Sequence, residues 1–560
     1  MAWASARSLG LLWMIGGLCS LLSAGCVDEE VSGPDLEVQI FTSSSPNLNP
    51  IPAGMPSIRF TARDAVSGRV LKTRTFDLSE SGAKFSGIPF NDQIQIVVEG
   101  LDVGGVPIYR GMSTPFAFKP SSNDRRVPVL FTALESFSEA TTLTVGVDRQ
   151  PVVQPVRFAV GLTRAGHVQT PLPGGRVLFT GGGVLEEGAG LSSPFLPDGL
   201  GLRETIAAVE VYDPASGTFF ALPNMLTPRA FHTTTQLADG RVLVVGGVTV
   251  IETGDGPVIE SVRPSEIFDP ASQRWSQITG EGGLGTGRAW HTATLRRIDG
   301  KVVVIGGRNI TRGVATLVGD AEVFNPQTNR FERNAGDAPI VMVAARAEHT
   351  AVLMRSGLGV GADILVIGGE GAEGPVASME MLRGVNNNAL FEFSDSVGAM
   401  VVPRSGHSSL AASPEQGNLI VTVGGVDAEG QAVSGVEIFD VAANVAVEAG
   451  NLAIGRSRAQ ALELPMTEKI VIFGGLDSGG RVIGGGESLI FNSTNGRYTS
   501  LPVVSAMVTP RFMHEATLLS NGLVLLTGGV GEDGGEVKSL NKVEIFNPDD
   551  GSPLPLVLAP

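Results

Sequence analysis

Seven times between Arg176 and Gly529 the chain shows a short apolar run closed by two glycines. The doublets are Gly181-Gly182, Gly246-Gly247, Gly306-Gly307, Gly368-Gly369, Gly424-Gly425, Gly474-Gly475 and Gly528-Gly529, at intervals of 50 to 65 residues. Runs such as Val242-Leu-Val-Val245 are apolar on successive positions, which predicts strands covered on both faces. A fixed period of this length means one supersecondary unit repeated in an array. The second copy shows the unit whole. Arg229-Ala-Phe-His232-Thr-Thr-Thr-Gln-Leu237 reads as a first strand and Asp239-Gly240 as a tight turn. Arg241 to Gly247 is the second strand, Glu266-Ile-Phe-Asp269 the third, and Arg274-Trp275 opens the fourth.

The polar positions repeat as faithfully. Arg and His open the first strand as Arg164/His167, Arg229/His232, Arg288/His291, Arg346/His349, Arg404/His407 and Arg511/His514. A glutamate opens the third strand as Glu210, Glu266, Glu322, Glu380, Glu437 and Glu544. Six residues past the Asp or Asn that ends that strand stands Phe219, Trp275, Phe331 or Tyr498. The fourth copy departs, with Arg383-Gly384 read as its turn and Phe391 displaced. In the sixth copy the arginine is read as Arg458, the histidine position as Ala461 and the glutamate position as Leu489. Losing His and Glu together suggests a pair. Removing both partners of a buried hydrogen bond is nearly neutral, whereas removing one strands the other at about 1–3 kcal/mol. The expectation is a structural contact in each copy: His167–Glu210, His232–Glu266, His291–Glu322, His349–Glu380, His407–Glu437 and His514–Glu544. The arginines are expected to pair with local acids or carbonyls. They are also the candidate ligand contacts, because the variable second-to-third loops emerge on their face, and binding concentrates on such loops.

The glycine doublet, the Glu-x-aromatic-Asp/Asn-Pro segment and the spaced aromatic resemble the kelch repeat over nearly three quarters of the chain. That resemblance implies an all-β fold, a seven-bladed β-propeller over residues 150–560. The seventh copy has Pro553 where the aromatic belongs, and Arg157-Phe158 repeats the Arg-aromatic pair. The segment around Pro155–Ala159 is therefore expected to supply the last blade's outer strand. Residues 36–135 lack the repeat and alternate apolar with polar, as in Ile58, Phe60 and Ala62 against Arg59, Thr61 and Arg63. They read as a small β-sandwich, a spacer or adhesion module.

Arg7 followed by the uncharged run Leu9–Leu22 is too short to span a bilayer and reads as a secretory signal. Leu22-Ser-Ala-Gly-Cys26 resembles the lipobox of bacterial lipoproteins, which implies a signal over 1–25, lipid on Cys26 and a tether over 26–35. Val27 after the cysteine favours the outer membrane of a Gram-negative bacterium. The only other cysteine is Cys19, so no disulfide or thiolate site remains after processing. A net charge of −17 with no basic run argues against nucleic acid and leaves the lipid as the only expected link to a membrane.

Kelch propellers include galactose oxidase, whose copper site needs tyrosines, histidines and a cysteine-linked tyrosine. Only Tyr109, Tyr212 and Tyr498 are present, and no cysteine is spare, so neither cofactor nor metal is expected. No non-repeating acid/base set stands out. The function expected is a monomeric, non-catalytic scaffold binding a protein or glycan through the loop face. The alternative, by resemblance to sialic-acid mutarotases, is a carbohydrate-active envelope enzyme, marked by carboxylates, or Arg with Glu, converging in one deep pocket.

Overall fold

The computed structural model describes residues 36–41, 55–78, 85–119, 126–145, 151–155, 161–185, 201–254, 256–333, 338–354, 363–385, 390–394, 397–412, 419–464, 469–503, 505–533 and 536–548. Cys26, the signal and the tether lie outside them. Among the described residues the protein is almost entirely β, with one short 3₁₀ turn at Gly280–Gly282. No helix there is long and apolar enough to cross a membrane.

Each apolar run before a glycine doublet is a buried inner strand, because sheets pack on both of its faces. Val242–Val245 lies between Thr233–Gln236 and Ser265–Asp269, and Arg274–Ile278 completes that sheet. Seven antiparallel sheets built on this four-strand plan follow one another along the described chain. The first strand of each touches the first strand of the next, and the seventh, Glu515–Leu518, returns to the first, Val168–Pro171. Buried residues of neighbouring sheets interdigitate, as where Leu243 and Ile267 of the second sheet meet Val302 and Phe324 of the third. The spaced aromatic packs on the aromatic of the third strand, with centroids 5.1 Å apart in Tyr212–Phe219, 4.9 Å in Phe268–Trp275 and 5.3 Å in Phe324–Phe331.

Two details differ from the sequence reading. The last sheet takes its outer strand from Ser136–Glu139, paired antiparallel with Val543–Asn547, and not from residues 155–159. Phe137 supplies the missing aromatic, 4.9 Å from Phe546. Pro151–Pro155 instead pairs with Thr141–Val145, and residues 156–160 lie outside the description. The repeat body thus begins ahead of residue 150. In the fourth sheet the third strand runs on from Ser378 to Val385, so Arg383-Gly384 is strand and not turn; Gly384 pairs with Phe391.

Ahead of Ser136, Val70–Asp77, Ser57–Asp64, Asn91–Leu101, Pro107–Met112 and Thr132–Ala133 lie side by side, with Phe116–Phe118 also against Asn91–Leu101. Glu37–Phe41 and Arg126–Leu130 form a separate parallel pair. Ile58, Phe76, Ile94, Ile96, Phe118 and Phe131 form their common core. Asn547 Nδ2 donates to the carbonyls of Arg110 and Thr132, tying this part to the last sheet.

Candidate functional site

The repeated charges are a brace. Arg229 is fully buried and donates to Glu266 (2.6 Å), to the Gly246 carbonyl (2.9 Å) and to the Pro264 carbonyl (3.0 Å). Glu266 also accepts the amides of Leu226 (2.7 Å) and Thr227 (2.9 Å). One guanidinium therefore ties the entry of the first strand to the ends of the second and third. The same pair recurs as Arg164–Glu210, Arg288–Glu322, Arg346–Glu380, Arg404–Glu437, Arg456–Glu487 and Arg511–Glu544. These arginines reach no solvent, which removes them as ligand contacts.

The expected histidine–glutamate contacts are not formed. Each glutamate is taken by arginine, and Glu266, Glu322, Glu380, Glu437 and Glu544 also by backbone amides, while the imidazoles face the preceding sheet. His232 Nε2 lies 2.8 Å from Thr180 Oγ1, His291 2.8 Å from Thr233, His349 3.0 Å from Thr292, His407 3.1 Å from Thr350 and His167 2.9 Å from Thr527. Burial pushes all six rings well below the usual imidazole range, His349, His407 and His514 to about 3, so they are neutral at pH 7. Their rings explain the first glycine of the doublet. A Cβ on Gly246, at φ 64°, would stand 2.6 Å from His291 Cε1 and 2.1 Å from the Arg288 carbonyl.

The sixth unit is misread by two residues. Its brace is Arg456–Glu487, its missing histidine Ala459, and its glutamate is kept. The glycine spacing carries the correct register, since Arg456 lies 18 residues before Gly474, like the 17 or 18 of Arg229 and Arg288. The third strand there is longer at its turn end, Gly486–Asn492, so counting back from Asn492 lands on Leu489.

Arg458 belongs to a different set, the one that repeats in position and not in identity. Two residues after each brace arginine stand Gly166, Phe231, Trp290, Glu348, Gly406, Arg458 and Met513, all with φ between 50° and 60°. Such a backbone is strained for any residue but glycine, by roughly 1–3 kcal/mol. Hydrogen bonds between successive members hold it. Phe231 N donates to Gly166 O (2.8 Å), Glu348 N to Trp290 O, Gly406 N to Glu348 O and Arg458 N to Gly406 O (each 3.1 Å), and Met513 N to Arg458 O (3.4 Å). All seven line one cavity of about 440 Å³, within the size range of small-molecule sites.

The side chains of this set are unequal. Phe231 and Trp290 stack at 5.1 Å with 25° between planes, and Phe231 leans over Gly166, where a Cβ would meet its ring at 2.4 Å. Opposite, Arg458 reaches Glu348 at 3.6 Å, with Gly406 leaving room for both. Burial pushes the Glu348 carboxyl up, against the pull of Arg458. Two residues beyond Met513, roughly 6–7 Å along the strand, Glu515 enters the same cavity beside Gln460. Burial alone raises its carboxyl to about 8, and among the described residues it has no hydrogen-bond or ion-pair partner. The second-to-third loops stand around this end as small hairpins, long at Val248–Ser261 and short at Glu370–Pro375.

The tyrosines do not assemble with these groups. Tyr109 is in the N-terminal part, and Tyr212 and Tyr498 are buried in separate aromatic pairs. The histidines are buried, and His291, His349, His407 and His514 also line the cavity, where none of the three tyrosines joins them. This donor set does not fit a galactose-oxidase copper centre, and no step through copper is derived.

No family model matches the sequence. A rat protein, tRNA wybutosine-synthesizing protein 4, is 28% identical over 230 residues, 39% of this chain and 31% of its own length. The chain thus spans about a third of that relative. Among solved structures, a fungal alcohol oxidase of the AA5 family in complex with copper is similar over 70% of this chain and 75% of its own, with TM-score 0.49 and 16% identity. YjhT is similar over 62% of this chain and 99% of its own, with TM-score 0.42 and 14% identity. The expectation that the chain is not an enzyme is corrected, because the rat relative is named for a synthesizing activity. It rested on seeing no non-repeating polar set, and Glu348, Arg458 and Glu515 are one, scattered over three repeats.

Proposed function

We propose that the seven sheets are the blades of a kelch-type β-propeller and that the cavity ringed by residues 166, 231, 290, 348, 406, 458 and 513 binds a saccharide. The observation that carries the reading is the inequality of this ring on an otherwise repeating frame. Near-identical blades need no differences there, whereas an asymmetric ligand does. Stacked Phe231 and Trp290 offer apolar faces to the C–H side of a sugar ring. Glu348, Arg458, Gln460 and Thr350 offer the few directed polar groups that orient a ligand. The cyclic order of first-strand contacts supports a closed ring of blades.

The chain is further proposed to be an outer-membrane lipoprotein anchored at Cys26, with residues 36–135 as a sandwich-like spacer. Palmitate labelling that survives Cys26→Ala would contradict the anchor. For the site, a panel of neutral and charged oligosaccharides is titrated into wild type and Trp290→Ala. Binding weakened at least tenfold by the substitution is expected; equal binding would place the site elsewhere.

A further inference from the structure

Within the proposed saccharide site, the charges are unbalanced in one place. Glu348 faces Arg458, and Arg308 pairs with Glu370 at 2.7 Å just outside, so that side is neutral overall. The histidines on the cavity wall, His291, His349, His407 and His514, are buried and neutral. On the strands flanking Glu515, Val168–Pro171 carries no charge, and Gln460–Leu464 carries only Glu463, which has other contacts. No described cation reaches Glu515. The cavity therefore presents one unanswered carboxyl together with the faces of Phe231 and Trp290.

We infer that the ligand is an amine-bearing saccharide, whose ammonium pairs with Glu515 and lies against the aromatic wall. A carboxylate and aromatic faces are the two groups that hold a cation in a partly desolvated site. A neutral sugar would leave Glu515 unpaired and desolvated; an anionic one would meet it with like charge. The inference rests on the saccharide reading and adds the amine. Because burial raises the free carboxyl to about 8, pairing ionises it, and the proton it held leaves to solvent where the amine is already charged and passes to the amine where it is not. Affinity is then greater at pH 7 than at pH 6, by up to tenfold for one proton released.

The test is calorimetry on the full-length protein with a glucosamine oligosaccharide and its N-acetylated counterpart, in buffers of different ionisation heat, at pH 6 and 7. The free amine is expected to bind at least tenfold more tightly and to release most of one proton at pH 6, where the amine is already charged, and less at pH 7, where the amine itself takes up part of it. Glu515→Gln, nearly isosteric and checked for an intact thermal transition, should abolish both the preference for the free amine and the proton release, so that the two sugars bind alike. Equal binding of the two sugars, or a preference that survives Glu515→Gln, overturns the amine inference and leaves the saccharide reading standing. If neither sugar binds, both fail. A lysine oligomer that binds in their place also overturns the inference, since the amine alone would then be recognised.

Discussion

Buried arginine and glutamate are costly to desolvate, and at Arg229–Glu266 the cost is offset because both groups are hydrogen-bonded to backbone as well as to each other. Arg229→Met should cost about 3–5 kcal/mol in a denaturant titration, since it leaves Glu266 charged and buried. Adding Glu266→Leu should not restore stability, because the Leu226 and Thr227 amides would then lose their acceptor. Full recovery in the double variant would show that the pair acts alone. Glu515 gives the opposite sign. Its carboxyl, raised to about 8 in the fold from about 4.3 in an unfolded chain, destabilises the protein increasingly as pH rises from 4.3 towards 8. Glu515→Gln should therefore raise Tm more at pH 7 than at pH 4.5, as read by differential scanning calorimetry.

At the scale of strands and sheets, the glycine doublets, the Arg–His opening and the spaced aromatics were legible because each answers a demand repeated in every copy. Gly246 must clear a neighbour's imidazole, and Phe219 must meet Tyr212. What misled was local. A longer third strand moved the turn of the sixth unit and hid Glu487, and the Arg456-Ser-Arg458 doublet offered two registers. The closing strand Ser136–Glu139 carries Phe137 without the Arg that marks its equivalents, so the more similar Arg157-Phe158 drew the assignment. Phe137 fits between Phe546 and Phe473, at 4.9 and 5.5 Å. Phe137→Ala should cost about 3–5 kcal/mol in chemical denaturation; a loss below about 1 kcal/mol would mean this strand does not close the last sheet. The proposed ligand site escapes a sequence reading for a physical reason. Its residues share a backbone conformation, and their side chains differ in each copy, so a search for repeated chemistry passes over them.

Across the whole molecule the six histidines act together. Each is buried and neutral, and unfolding returns it to the usual imidazole range, so the unfolded chain binds more protons as pH falls through about 6.5. Stability should fall on acidification below pH 6.5, by up to roughly 1.4 kcal/mol per pH unit for each histidine, and denaturant midpoints at pH 7, 6 and 5 read this directly. A flat profile would mean the rings are solvated or already charged in the fold.

On the proposed reading, ligand sits against the unequal ring. With Trp3, Trp13 and Trp275 replaced by Phe, the fluorescence of Trp290 reports from the ring alone. Titration with the glucosamine oligosaccharide should change that emission saturably, with the midpoint found by calorimetry. Calorimetric binding with no change at Trp290 would place the ligand elsewhere and contradict the account.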